Sequence, residues 1–213
     1  MRKFISALAS LAVIAGVVAY AAEGSDTKPG PIAASADQAK PITVGDSIPD
    51  VVIQDGSGAD VNLKEFTAGK KTALIFYRGG WCPFCNKHLA DVAAAQDEIA
   101  KAGYQVIGIN PDSPKDVMSA QEKKNFPFTI LSDSDLKAAR AFGVAFKLDD
   151  KTIEQYKGYG IRLMDSSDEP RYSLPVPAFY LVDASGKVTF EYHNPDYTVR
   201  ISKEELLAAV RAN

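Results

Sequence analysis

The sequence predicts an α/β domain with a central mixed β-sheet flanked by helices, and three observations carry that prediction. Apolar runs of strand length, "KTALIFY" (71–77) and "YQVIGIN" (104–110), alternate with stretches of helical period, as strand–helix units do. A hairpin follows them, "AFYLVD" (178–183) and "KVTFEYH" (187–193) about the turn Ala184-Ser185-Gly186, and this adds antiparallel pairing to the sheet. The chain has 213 residues, 46% of them hydrophobic, enough for one well-cored domain with a small extra segment.

From the N-terminus, Met1-Arg2-Lys3 gives a positive start, and Phe4 to Val18 is apolar except for small residues such as Ser6 and Ser10. Ala19-Tyr20-Ala21 has the small-x-small form of a signal-peptidase site, so residues 1–21 read as a signal peptide and the mature protein as periplasmic or secreted. The alternative is an uncleaved anchor in which residues 4–22 cross the bilayer, the one route to membrane contact. No cysteine follows the apolar run, which argues against a lipid anchor. Residues 22–41, rich in Gly, Pro, Ala and Ser, read as a flexible linker, and 42–213 as the folded domain.

Within that domain, "VVIQDGSGADVNL" (51–63) predicts two short strands around a glycine turn, and "KTALIFY" a strand buried on both faces. Pro83 fits the first turn of a helix that continues through Leu89, Val92, Gln96, Ile99 and Ala100 and stops at Gly103. Ser113-Pro114-Lys115-Asp116 caps a helix running to about Lys124. "FPFTIL" (126–131) reads as a strand, "SDLKAARAFG" (134–143) as a short helix, and Ser202-Lys203-Glu204-Glu205 caps the last helix. Residues 144–174 show no clear period, which makes that stretch either functional or partly helical.

The formal net charge of -3, without any block of like charges, argues against nucleic acid as a partner. No phosphate-binding glycine loop and no Ser/His/Asp set is present. What stands out is "GGWCPFCNKH" (79–88), which holds both cysteines of the chain, Cys82 and Cys85. A structural staple between residues this close removes little chain entropy, about 2 kcal/mol or less. A metal site would draw on Cys82, Cys85 and His88, with His193 the other histidine. A closed zinc site needs four ligands, but a copper shuttle would need fewer. His88 itself falls on the polar face of a predicted helix, where a lone histidine is usually solvated. A redox pair uses every feature of the stretch. Cys82 sits at a helix mouth set by Pro83, where orphan N–H groups and the dipole favour a thiolate, and Cys85 lies one turn in, within disulfide reach. Arg78 adds positive charge if it folds back, and Trp81 packs over or shields the site.

"FYRGGWCPFC" after a buried strand resembles the thioredoxin superfamily. The wider chain from about Val44 resembles its peroxiredoxin-like branch, the alkyl hydroperoxide reductase/thiol-specific antioxidant (AhpC/TSA) group. The matching stretches are "VGDSIPDVVIQDGSGADVNLKEF", "VIGINPDSPKDV", "FPFTILSDSDLKAARAFGV" and "LPVPAFYLVDASGKVTF". The resemblance implies a thioredoxin-like fold with an N-terminal β-hairpin extension. It also implies a redox-active enzyme that requires no cofactor, metal included. Its partners would be protein or small-molecule thiols and disulfides, or hydroperoxides, with an external thiol reductant or oxidant to turn the pair over. Laid on thioredoxins, Cys82 falls at the nucleophile, Cys85 at the resolving position and Pro177 at the cis-proline beside the active site. The acid buried six residues before the nucleophile in thioredoxins is here Phe76, so proton handling falls to another carboxylate or to water. Laid on peroxiredoxins, Cys85 takes the peroxidatic position, Cys82 replaces a threonine, Arg78 a proline, and Pro177 falls where an arginine is expected.

Those departures make thiol–disulfide exchange the first reading, with Cys82 attacking and Cys85 resolving. Hydroperoxide reduction, with Cys85 attacking and Cys82 resolving, is the second. A copper chaperone built on Cys82, Cys85 and a histidine is a more remote third. The segment 153–175 returns the chain to Pro177. It either walls the site through Tyr156, Tyr159, Tyr172 or Met164, or packs as an insertion without a ligand.

Overall fold

A computed structural model describes residues 30–213 apart from Asp168. The predicted signal peptide and residues 22–29 of the predicted linker lie outside the described residues. A seven-stranded sheet runs in the order β2-β1-β5-β4-β3-β8-β9. Its strands are β1 (Val52–Gln54), β2 (Asp60–Asn62), β3 (Lys71–Phe76), β4 (Tyr104–Asn110), β5 (Thr129–Ser132), β8 (Ala178–Val182) and β9 (Val188–His193). β3, β4 and β5 are parallel neighbours, while β8 pairs antiparallel with β3 and β9 with β8. The sheet is therefore mixed, as predicted.

Strand periodicity divides the core between two faces. On β3, Ala73 and Ile75 face one cluster, which includes Leu89, Val92, Ile99, Val117, Leu206 and Val210. Those residues belong to α2 (Pro83–Ala94), α3 (Gln96–Lys101), α4 (Pro114–Lys124) and α7 (Lys203–Ala212). Leu74 and Phe76 face the opposite cluster, with Leu63 of α1 (Leu63–Thr67) and Ala138 and Ala139 of α5 (Lys137–Ala141). The predicted caps form: Ser113 accepts from Asp116 N–H, and Ser202 and Glu205 close a reciprocal capping box.

Two expectations need correction, and a third, that residues 144–174 are functional or partly helical, is met in its helical form. The single helix predicted from Pro83 to Gly103 is two, divided at Ala95, whose N–H turns back to Val92 O at 3.0 Å. Residues 30–41 are not a free linker. Ala33 exchanges backbone hydrogen bonds with Ala145 and Lys147, and the N–H groups of Lys40 and Ile42 donate to Gly143 and Phe142. Ile32, Ala36, Ala39 and Ile42 pack on the second core cluster. Small side chains let the strap lie close, and Gly143 (φ +70°) leaves the space it needs, since a Cβ there would stand 1.9 Å from Lys40 O. The aperiodic stretch 144–174 is ordered as β6 (Ala145–Lys147), α6 (Asp150–Gly158) and β7 (Ser173–Pro175), with β6 and β7 forming a second small sheet.

Candidate active site

The site forms where β3 ends and α2 begins. After Phe76 the chain turns through Gly79 (φ +137°), where a Cβ would meet Trp81 Nε1 at 2.4 Å and Asp112 Oδ1 at 2.6 Å. Only glycine fits there. Gly80 N–H donates to Asp112 Oδ2 at 2.6 Å and Gly80 O accepts from Asn86 Nδ2 at 2.9 Å, which fixes the turn against α2. Cys82 is the N-cap residue of α2 and Pro83 opens the helix. One turn on, Cys85 presents its Sγ 2.8 Å from that of Cys82, both as free thiols.

The two sulfurs are not equivalent. Cys82 Sγ accepts the S–H of Cys85, and that bond, helped by the Cys85 N–H and by Arg78 and Arg200, lowers its pKa to about 6 against the opposing effect of burial. Cys85 is pushed far up, because it is the donor in the same bond and is fully buried. Arg78 is only 2% exposed, and its guanidinium lies over the rings of Tyr197 (3.8 Å), Trp81 (5.3 Å) and Tyr156 (5.4 Å). Arg200 Nη2 donates to Cys85 Sγ at 3.3 Å. The pair is thus held between two guanidiniums.

An open cleft of about 890 Å³ leads to Cys82 and does not reach Cys85. Arg78, Trp81 and Pro83 line it, and α6 contributes Tyr156 with Tyr159 just beyond its end. Tyr172 and Met164, the other candidate wall residues, do not line it. Trp81 packs edge-on against Tyr156 at 5.4 Å. Asp112, beyond the carboxyl end of β4, brings a carboxyl into the same cleft, and burial raises its pKa to about 6. This carboxyl stands where Phe76 could supply none; Phe76 packs on Phe142 and Tyr180 instead.

Pro177 is a correction. No peptide among the described residues is cis, and Pro177 lines a different, small pocket with His88 and Arg200 rather than the cleft. The N–H of its neighbour Val176 already donates to Val144 O at 2.8 Å, so that backbone is not free to pair with an extended substrate. His88 is a second correction: it is 6% exposed rather than solvated, and burial lowers its pKa to about 4. The copper set is not brought together. Among the described residues no three His, Cys, Asp or Glu side chains cluster as metal ligands, and His193 Nδ1 lies 2.9 Å from Glu191 Oε2.

Sequence reasoning missed Asp112, Tyr197 and Arg200. Asp112 carried a signal, because loops at the carboxyl ends of parallel strands are where α/β sheets place ligands. Tyr197 and Arg200, on the loop between β9 and α7, carried none.

The AhpC/TSA family pattern matches residues 44–191. The chain is 35% identical over 104 residues to peroxiredoxin Bcp of Escherichia coli (strain K12), a match that covers 49% of this chain and 66% of the relative. It is 29% identical over 153 residues to the chloroplastic peroxiredoxin Q of Gentiana triflora, covering 72% of this chain and 60% of that one. The chain thus spans less than two thirds of the length of each of these relatives. Among solved structures, peroxidoxin BcpB from Mycobacterium tuberculosis superposes with a TM-score of 0.63 at 20% identity, covering 80% of this chain and 97% of that one. Reduced Prx3 from Vibrio vulnificus, in complex with hydrogen peroxide, superposes with a TM-score of 0.66 at 19% identity, covering 80% and 96%. The thioredoxin-like fold expected from the resemblance is the fold observed.

Proposed function

The chain belongs to the AhpC/TSA family, and from that premise we propose that it is a thiol-dependent hydroperoxide reductase in which Cys82 is the attacking sulfur. The kinship with peroxiredoxins favours peroxide reduction over thiol–disulfide exchange as the primary reaction. One observation carries the choice of sulfur: both cysteines are buried, at 1% and 0% exposure, but Cys82 lines the cleft and Cys85 does not. This reverses the roles that the overlay on peroxiredoxins implies.

In the reaction, the Cys82 thiolate attacks one oxygen of the peroxide bond, the O–O bond breaks, and the alkoxide or hydroxide leaves and takes up a proton. The product is a Cys82 sulfenic acid. Cys85 then attacks that sulfur, its thiol proton and the sulfenic hydroxyl depart as water, and the disulfide closes. Two equivalents of an external thiol restore the dithiol and are themselves oxidised to a disulfide. The Sγ–Sγ separation of 2.8 Å makes closure a short movement within one helical turn.

The deciding experiment is single-turnover oxidation by hydrogen peroxide and by an organic hydroperoxide, with sulfenic acid trapped chemically and located by mass spectrometry. Cys85→Ser should accumulate sulfenic acid on Cys82, and Cys82→Ser should react slowly. Trapping on Cys85 in Cys82→Ser, at the wild-type rate, would return the attacking role to Cys85.

Thiol–disulfide exchange stays as a second reading because Cys82 is a low-pKa helix-mouth thiol of C-x-x-C type. Rapid reaction with a small disulfide and sluggish reaction with both peroxides would favour it. An extracytoplasmic location, supported by the apolar run after Arg2 and Lys3, predicts a mature protein shortened by about the first 21 residues.

A further inference from the structure

Arg200 lies 115 positions from Cys85 in the chain, yet its Nη2 stands 3.3 Å from the Cys85 sulfur. The geometry is built. Arg200 Nη1 donates to the carbonyls of Tyr197 and Val199, so two carbonyls of its own loop fix the fork and aim the other nitrogen at the sulfur. The loop is braced on both sides of Arg200. Asp196 accepts from Thr198, Asn194 N–H donates to Pro177 O, Ile201 is 3% exposed, and Ser202 caps α7.

No carboxylate among the described residues stands within ion-pair distance of this guanidinium. Its Nε is buried without a partner. In the reduced protein this guanidinium helps to hold the Cys82 thiolate; once Cys82 is bound in the disulfide that charge is gone, and the next anion to form against Nη2 is Cys85 Sγ as the bond opens.

We propose that Arg200 is a catalytic residue of the reducing half-reaction, holding Cys85 as a thiolate when the disulfide is opened. The proposal rests on the redox reading of the Cys82–Cys85 pair. The external thiolate enters through the cleft and attacks Cys82 Sγ, the one sulfur the cleft reaches. A new S–S bond forms to Cys82, the Cys82–Cys85 bond breaks, and its electron pair goes to Cys85 Sγ, opposite Arg200. The second thiol then releases the reduced pair, and Cys85 regains its proton from solvent. A better-stabilised leaving thiolate leaves faster, so the disulfide is opened faster. Hydrogen bonds to charged groups are the strong ones, so loss of the charge should show plainly in the rate at which thiol opens the disulfide.

The test uses the full chain with Arg200→Gln, which keeps an N–H donor and removes the charge, and Arg200→Lys, which keeps the charge and loses the fork. Trp81, the single tryptophan, reports the redox state by fluorescence in dithiothreitol or glutathione buffers. Arg200→Gln should slow the reduction of the disulfide by thiol about tenfold, and Arg200→Lys should recover most of that rate. Reduction of the oxidised Arg200→Gln protein by thiol should slow at least threefold more than its oxidation by peroxide, measured at a pH where Cys82 is ionised. A merely structural role would slow both steps alike. An unchanged rate of reduction by thiol in both variants, with folding intact by circular dichroism, overturns the proposal. So does equal slowing of the two half-reactions. If Arg200→Gln does not fold, Arg200→Met takes its place: selective slowing of the reduction supports the proposal, and equal slowing of both half-reactions or none refutes it. A wild-type pair that never closes under peroxide or oxidised dithiothreitol would instead remove the redox reading, and this proposal with it.

Discussion

The rate of thiol attack should rise with pH in one step centred near pH 6 and flatten by neutrality, because Cys82 is the sulfur that ionises there. The expected size follows from two opposing effects. With a pKa of about 6 rather than the ordinary 9.0, Cys82 is ~90% thiolate at pH 7 where an ordinary thiol is ~1%. Lower basicity costs intrinsic nucleophilicity: with a Brønsted slope of ~0.4–0.5, three pKa units take away a factor of roughly 20. The net gain at pH 7 is about fourfold, and by pH 9 the balance turns to about tenfold slower than a fully exposed thiol. The site is thus tuned for neutral pH rather than for maximal reactivity. Cys85→Ala removes the S–H donor, the largest cause of the shift, and should move the step upward while leaving the contributions of Arg78, Arg200 and the Cys85 N–H in place. Thiolate absorbance against pH, paired with alkylation rates and mass-spectrometric assignment, measures both the step and its owner. A step near the ordinary value of 9.0 in the wild type would mean that Cys82 is not held as a thiolate at neutral pH. So would a step near pH 6 that persists in Cys82→Ala and vanishes in Cys85→Ala.

Gly143→Ala should detach the N-terminal strap. The new Cβ would stand 1.9 Å from Lys40 O at φ +70°, and displacing the strap forfeits the bonds of Lys40 and Ile42, for a total of about 3 kcal/mol. Urea unfolding should register that loss and limited proteolysis should cut within residues 30–42, whereas wild-type stability and resistance would mean the strap is not docked through this position. Arg171→Met removes a guanidinium nitrogen that donates to the carbonyls of Pro111, Ser134 and Met164, and should cost about 3 kcal/mol. Amide exchange across residues 150–172 should accelerate ahead of the central sheet; acceleration spread evenly over the chain would show that Arg171 does not anchor this insertion in particular.

How much of this was legible depended on the range over which each cause acts. Pro83, Ser113 and Ser202 announced helix starts because capping is settled within a few residues. The alternation that sends Ile75 to one core face and Phe76 to the other belongs to β3 alone. The cysteine pair was legible for the same reason: spacing along one helix turn sets the approach of the two sulfurs. The strap at 30–42 was misread because its residues build no core of their own, and its docking depends on a groove opened by Gly143, a hundred residues away. Pro177 was misread because the hydrogen-bond partner that occupies its neighbour, Val144, comes from the aperiodic segment. His88 looked solvated because α2 alone does not reveal that Arg200 and Ile201, more than a hundred residues on, come to line the same small pocket. Tyr197 and Arg200 reach the site through tertiary folding of a loop with no periodic or motif signature, so nothing local could have indicated them.

The asymmetry between the sulfurs also orders the reaction. In the reduced protein one hydrogen bond does two jobs, keeping Cys82 ionised and Cys85 protonated. Cys85 is then a poor nucleophile and does not compete for peroxide. Once Cys82 has taken up oxygen its charge is gone, and with it the interaction that most strongly raises Cys85. Burial still opposes ionisation of Cys85, but Arg200 now acts without a competing anion beside it. Cys85 therefore becomes a nucleophile at the stage when a sulfenic acid is there to receive it. The site needs no general base placed against Cys85 for this hand-over, because oxidation of the first sulfur is itself what releases the second.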